Sequence, residues 1–329
     1  MLVDDNFLKG LKIAVLMGGK SNEREISLKS GKAVYQSLKD AGFDAVPIDI
    51  IEEDAGAIVT DIKGLGADIA FIAMHGRFGE DGTLQEILES AAIPYTGCGP
   101  RASRLAMDKV ASREVFLEHG ISVPRSRVFE DELLSKINLD DLADLGFPLV
   151  VKPVAAGSSI GVSIVDNQGD LIQALESAFS HDKRIIIEEY LEGRELTVGI
   201  LEEEPLPVIE IIPKIKFFNF QAKYTLGLTD YIVPAQIPGE LSKKVQQVAL
   251  SAYKSLGCQA FSRVDMILKN DLIPYVLEIN TIPGLTKMSL LPKAAGVANI
   301  SFLELCLRLI SLAVSPKFIR EDEKQKINF

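Results

Sequence analysis

Two segments near the C-terminal end of this chain carry residue types that bind metal and phosphate. FSRVDMILKN (261–270) and IPYVLEIN (273–280) each read as a strand, with a short turn between them. Side chains two apart on a strand share a face. Arg263 and Asp265 therefore lie on one face, and Glu278 and Asn280 on one face of the partner. A turn centred between Asp271 and Leu272 sets Asp265 directly opposite Glu278. Two carboxylates facing each other repel, and a bound cation resolves that. Magnesium takes carboxylate and amide oxygens from protein and completes its shell with water and substrate phosphates. Asp265, Glu278 and Asn280 beside Arg263 thus predict a magnesium–phosphate site, where two ions could bridge and neutralise the phosphates of a nucleotide. The plain alternative is a solvated strand face with ordinary charges. Apolar neighbours on both strands argue instead that the opposite face is buried.

A second cluster starts at Lys152, at the end of the apolar run FPLVV, and continues through Gly157, Ser158, Ser159 and Gly161. Small residues let a loop fold over a phosphate and offer it backbone N–H groups. Alone, the stretch reads as a hairpin turn. With a lysine and a carboxylate cluster in the same chain, it points to ATP. AVLMGGKS (14–21) is a decoy. It follows a strand and precedes a helix as a phosphate loop would, but Ala14 replaces the first glycine, and a complete nucleotide site is already present elsewhere.

Several elements must position these groups. KIAVLM (12–17), a helix-period stretch from Glu23 to Ala41, and AVPIDI (45–50) form a βαβ unit, the unit of a parallel sheet. DIAFIAM (68–74) is a further buried strand, followed by the loop HGRFGEDG, the helix TLQEILESA and a short strand IPYTG. A helix from Asp108 to His119 leads to a small α+β module holding the Gly/Ser loop, a helix near 168–179 and the strand RIIIEEYL. The remainder has strands at 195–201 and 206–212, a helix at 241–256, the carboxylate-bearing pair, and helices near 288–296 and 300–314. The expected fold is mixed α/β and α+β, with a Rossmann-like parallel-sheet domain first. The boundaries fall at 1–105, 106–191 and 192–329. The charged tail EDEKQKINF reads as frayed.

A chain of 329 residues exceeds one ordinary core. A net charge of −11 argues against a general nucleic-acid binder, though a site can be locally positive on an acidic protein. No apolar run reaches the length of a membrane span, and MLVDDNFLKG has two acidic residues and no long apolar core, unlike a secretory signal. Cys98, Cys258 and Cys306 have no zinc spacing and fit buried thiols in a reducing compartment, so the expected location is the cytoplasm.

The motifs in their order resemble the D-alanine–D-alanine ligases of the ATP-grasp superfamily. They are GGKSNEREISLKSG (18–31), AMHGRFGEDGTLQ (73–85), PYTGCG (94–99), MDK (107–109), VVKPVAAGSSIGV (150–162), EGREL (192–196), AKYTLG (222–227), RVDM (263–266) and LEINTIPGLTKMSLLP (277–292). The resemblance runs from Lys12 to Val314 and implies an ATP-grasp fold gripping ATP between the central and C-terminal parts. It implies that Lys109, Lys152 and Lys223 contact phosphates, that Glu188 to Leu191 line the adenine, that Glu195 binds the ribose, and that the loop with Gly157 and Ser159 closes over the phosphates. Asp265, Glu278 and Asn280 match the metal ligands. Glu23 would hold the ammonium of a first D-alanine, with Ser158 and Tyr224 beside it. Glu23 also reads more simply as a carboxylate favoured at a helix N-terminus. Arg263 and the N–H of Gly284 would stabilise an oxyanion. Ser289 and Leu290 would receive the second carboxylate, and His75 would sit near the first substrate.

The resemblance further implies ATP with two magnesium ions, manganese as a substitute, potassium as an assisting cation, a homodimer, and no nucleic-acid or membrane partner. Tyr224 in the AKY segment goes with a D-alanyl-D-alanine product. D-alanine–D-lactate and D-alanine–D-serine ligation, another ATP-grasp carboxylate–amine ligation, and a nucleotide-binding regulator are the alternatives. The regulator is disfavoured because Arg263, Glu278 and Asn280 are all retained. Two departures stand out. Val154-Ala155-Ala156 lacks charges often seen before the Gly-Ser-Ser loop, and Phe218 stands where some relatives have a hydroxylated aromatic.

Overall fold

The computed structural model describes residues 5–130, 139–157, 160–214 and 227–315. Ser158, Ser159, Phe218, Lys223 and Tyr224 lie outside the described residues, as does the charged tail. The first elements are α1 (Asp5–Lys9), β1 (Lys12–Gly18), α2 (Arg24–Asp40), β2 (Asp44–Ile50), α3 (Ala55–Gly64), β3 (Ile69–Ile72), α4 (Thr83–Ser90), α5 (Pro100–Met107) and α6 (Lys109–Glu118). Then come β4 (Ser126–Glu130), β5 (Leu149–Pro153), β6 (Ser163–Val165), α7 (Gln168–Phe179) and β7 (Arg184–Glu189). The last group is β8 (Gly193–Leu201), β9 (Glu204–Pro205), β10 (Ile209–Pro213), β11 (Thr229–Ile232), α8 (Gly239–Ser255), β12 (Phe261–Lys269), β13 (Ile273–Asn280), α9 (Leu290–Val297) and α10 (Phe302–Val314).

Among the described residues the strands form three sheets. The first is parallel, in the order β2-β1-β3. Strand β1 is buried on both faces, which is why it reads as an unbroken apolar run rather than an alternation. Helix α2 buries Ser27, Ser30, Gly31, Val34 and Leu38, one helical face. Gly31 permits its close approach, because a Cβ there would lie 2.5 Å from that of Met17. The segment IPYTG gives a single bridge from Tyr95 to Ala70 instead of the expected strand, since Pro94 has no N–H with which to extend a ladder. Helix α10 returns to pack on α2 and β3, so Leu305, Leu309 and Leu312 share a core with Ile13 and Val15.

The second sheet is antiparallel, in the order β4-β7-β5-β6. Leu149, Val151, Ile185 and Ile187 pack against Leu171, Leu175 and Ala178 of α7. The alternate positions, Val150, Lys152, Ile186 and Glu188, therefore turn to the other face. The third sheet runs β11-β10-β8-β12-β13, with β9 on β8. Leu196, Val198, Val264 and Met266 pack on Val245, Ala249 and Tyr253 of α8. Glu195, Thr197, Arg263 and Asp265 turn away from that core. The functional faces of the second and third sheets are thus set by period-two alternation against two separate helices.

Candidate active site

The free faces of the two antiparallel sheets enclose a cleft of about 420 Å³. Lys109, Lys152, Glu188 and Leu191 line one side, and Glu195, Asp265 and Glu278 line the other. Asp265 does stand opposite Glu278, and Arg263 opposite Asn280. The route differs from the expected symmetric turn. The hairpin closes through a three-residue loop, Asn270 to Leu272, with Asn270 and Asp271 at positive φ, and a bulge between Asp265 and Met266 leaves Leu277 unpaired. The cause lies in the sequence. Val276 and Ile279 are both buried, yet three apart, which a regular strand cannot arrange. The extra residue resets the alternation, so that Val276 and Ile279 reach the core while Glu278 and Asn280 face the cleft.

Asp265 is the most heavily held carboxylate here. Thr197 Oγ1 donates to it at 2.6 Å, Arg263 donates twice at 2.9 and 2.7 Å, and Asn280 Nδ2 donates at 3.1 Å. Glu278 pairs with Lys109 Nζ at 3.3 Å. Lys109 also donates to the carbonyl of Ala156 at 2.7 Å. Its place at the first position of α6 follows from Asp108, which caps that helix by accepting from Val110 and Ala111 and also pairs with Arg184. Burial works to raise the Asp108 carboxyl, but the Ala111 N–H and the Arg184 guanidinium hold it below the usual range. Lys152 sits 2.9 Å from Glu188, and Arg113 pairs with the other oxygen of the same carboxylate. Burial pulls the Lys152 ammonium below its ordinary value, with Glu188 opposing.

Among the described residues no three His, Cys, Asp or Glu side chains converge as a metal site. The candidate set is two carboxylates and one amide, Asp265, Glu278 and Asn280. All are oxygen donors, they leave most of a coordination shell to water and phosphate, and no thiol or imidazole competes. That set fits magnesium.

Glu23 is the N-cap residue of α2, but its side chain makes no capping bond. Its carboxylate instead lies between two glycines. A Cβ at Gly157 would come within 2.5 Å of Glu23 Oε2, and one at Gly76 within 2.8 Å. His75 is buried, with Nε2 2.8 Å from Ser30 Oγ and Nδ1 2.9 Å from the Ile282 carbonyl and 3.4 Å from Glu80. Ser30 Oγ also accepts from the Leu285 N–H. His75 therefore fastens the loop before α9 onto α2. Burial disfavours its charged form, but Glu80 and Glu23 together raise its pKa. Burial also raises the Glu80 carboxyl. In that loop, a Cβ at Gly284 would stand 2.8 Å from Ser289 Oγ, which bonds to Thr286 N and Oγ1. Ser289 is the N-cap residue of α9, and Leu290 beside it is buried.

In the decoy loop the side chains that would meet a phosphate are engaged within the protein. Lys20 pairs with exposed Glu52, and Ser21 bonds the His75 carbonyl. The three cysteines are buried, the Cys258 thiol is raised by its hydrogen bond to Cys98, and burial pushes Cys306 up to about 12. Sequence reading missed Thr197 and Arg113. Both were findable, since Thr197 follows Glu195 by two on a strand and Arg113 follows Lys109 by four on a helix.

A nucleotide-sized cleft between two antiparallel sheets, with Lys109 and Lys152 on one wall facing Asp265 and Glu278 on the other, defines an ATP-grasp enzyme. Residues 12–64 and 57–98 match the family profile for the D-ala D-ala ligase N-terminus, and residues 116–311 the profile for the D-ala D-ala ligase C-terminus. The chain belongs to the D-alanine–D-alanine ligase family. It is 45% identical to the D-alanine–D-alanine ligase of Syntrophotalea carbinolica over 92% of this chain and 96% of that one. Its fold matches the Bacillus anthracis D-alanine–D-alanine ligase complexed with ATP, with a TM-score of 0.80, 36% identity and coverage of 92% and 97%. The VanG D-Ala:D-Ser ligase of Enterococcus faecalis matches with a TM-score of 0.79, 34% identity and coverage of 92% and 99%.

Proposed function

We infer that this protein is an ATP-dependent ligase that joins two D-alanines through a D-alanyl phosphate, for peptidoglycan precursor synthesis. The observation that carries the reading is the cleft itself, with Lys109 and Lys152 across from Asp265 and Glu278, and Asn280 bonded to Asp265. The carboxylate of the first D-alanine attacks the γ-phosphorus of ATP, and the bond to ADP breaks. The amine of the second D-alanine attacks the acyl carbon, loses a proton, and expels phosphate. Glu23 holds the first ammonium, with Ser158 and Tyr224 beside it. Lys109, Lys152 and Lys223 disperse charge on the phosphates. Leu191 and the Glu188 strand end line the adenine, Glu195 takes the ribose, and the Gly157–Ser159 segment covers the phosphates. Arg263 and the Gly284 N–H stabilise the tetrahedral oxyanion, a role worth about 3–4 kcal/mol per donor. Ser289 and Leu290 receive the second carboxylate. Both nitrogens of His75 are engaged within the fold, which supports a role in orienting the neighbourhood of Glu23.

Asp265, Glu278 and Asn280 would hold magnesium, two ions by the family's pattern, with manganese as a substitute and potassium assisting. The ions supply charge neutralisation on the phosphates. The same reading carries the division at 1–105, 106–191 and 192–329, a homodimer, a cytoplasmic location, and no membrane or nucleic-acid partner. Among the described residues no single helix is long and apolar enough to cross a membrane.

The test is to incubate the protein with ATP, magnesium and D-alanine, with parallel arms containing L-alanine, D-serine or D-lactate, then measure phosphate and weigh the product. D-Alanyl-D-alanine from D-alanine alone, and nothing from L-alanine, is the expected result. Dipeptide formation rises with pH as the acceptor amine loses its proton. Preferential formation of D-alanyl-D-serine or D-alanyl-D-lactate, with D-alanine present beside the second substrate, would move the assignment to the corresponding ligase.

A further inference from the structure

The segment before the Gly-Ser-Ser loop lacks charges of its own, yet it is gripped from outside. Arg77, in the loop after β3, donates from Nε to the Ala155 carbonyl at 3.3 Å. Its Nη2 stands 3.6 Å from Asp182, and the same Asp182 oxygen accepts the Ala155 N–H at 2.7 Å. Both polar atoms of the Ala155 backbone are therefore held by one ion pair whose halves come from different sheets' loops. The geometry matters because of what flanks it. Arg77 follows Gly76, and Ala155 is two residues before Gly157; both glycines abut the Glu23 carboxylate. The Ala156 carbonyl holds Lys109 Nζ.

We propose that Arg77 and Asp182 form a clasp that positions the Ala155–Gly157 segment against Glu23 and Lys109, so that the D-alanyl phosphate is shielded from water until the amine arrives. Arg77 is a positioning residue, since its contacts are to the Ala155 carbonyl and to Asp182. The inference rests on the acyl-phosphate reading above. Without the clasp, water competes at the acyl carbon: its oxygen forms the new bond, the bond to phosphate oxygen breaks, and D-alanine and phosphate are released with one proton. ATP is then spent without dipeptide.

Arg77→Ala and Arg77→Lys are compared with the parent for phosphate and dipeptide formed in the same reaction, and for exchange of the Ala155 amide hydrogen. The parent is expected to release one phosphate per dipeptide. Arg77→Ala should release at least about two, raise the KM for D-alanine about tenfold, within the range a misplaced binding group costs, and quicken Ala155 exchange. Arg77→Lys, which keeps the charge facing Asp182, should recover much of the coupling. A lowered rate in Arg77→Ala with coupling still at one phosphate per dipeptide would overturn the clasp, because mere loss of folded protein lowers both products together. If the parent makes no dipeptide, the ligase reading falls, and the clasp is judged on Ala155 exchange alone: unchanged exchange in Arg77→Ala would then overturn it.

Discussion

Thr197 makes the shortest hydrogen bond to Asp265, 2.6 Å, from a side chain with no solvent exposure. Replacing it with valine keeps the shape and removes the hydroxyl, whose weaker second contact is to the Val264 carbonyl at 3.2 Å. A hydrogen bond to an ionised group contributes about 1.5–3 kcal/mol. Three donors remain on Asp265, two from the Arg263 fork and one from Asn280, so the low end applies. Thr197→Val should unfold about 1.5 kcal/mol more easily in urea without metal. A loss of that size is about tenfold in a binding constant, and removing a group that orients a metal ligand costs about 10–100-fold in metal affinity. The magnesium concentration for half-maximal ADP formation should rise about tenfold, with turnover at saturating magnesium little changed. Thr197→Ser restores the hydroxyl and should behave nearly as the parent. Equal magnesium dependence and equal urea midpoints in parent and Thr197→Val would refute the reasoning, as would a serine variant no better than the valine one.

Arg263→Ala should lower turnover at least about a hundredfold, measured as dipeptide formed at saturating substrates. Arg263→Lys should recover little, because the bidentate fork onto Asp265 is lost. Gly157→Ala should raise the KM for D-alanine, at a cost of about 1–3 kcal/mol, since its Cβ would press on Glu23 Oε2 at 2.5 Å; an unchanged KM would place that segment away from Glu23 in solution. His75 has a raised pKa in the folded protein, so the stability it adds is full below its unfolded value near 6.5 and fades as pH climbs through the folded value. Urea midpoints from pH 6 to 9 should fall in the parent, and the slope should flatten in His75→Gln.

Much of this was legible because alternation and helical period carry burial directly. The βαβ unit and Lys152 on an apolar strand follow from such patterns; Asp265 faces Glu278 as expected, but through a longer loop and a bulge instead of a regular ladder. Helix α3 was not read. Its Gly56, Val59 and Thr60 have weak helical preference, and it forms because Asp54 caps it and Ile58 and Ile62 bury one face. The loop before α9 shows why local reading stops short at Gly284. Its glycine is required by Ser289 Oγ, and the loop is tied to Ser30 and His75, partners more than two hundred residues away. The bulge lies between these cases, written in the three-residue spacing of Val276 and Ile279 but outweighed by the expectation of a regular ladder.

That bulge also makes one position of the site neutral in length. Elsewhere on β12 and β13, gaining or losing a residue would reverse the facing of every side chain beyond it. Leu277 is surplus to the pairing. With it deleted, Val276 would still pair with Met266 and Glu278 with Asp265, and the carboxylates would keep their face. Chains of this architecture can therefore differ by one residue here without losing the metal-facing pair. What keeps Leu277 in place is the cleft it lines, and a shortened relative should be sought among those with a reshaped nucleotide pocket rather than among those with a lost one.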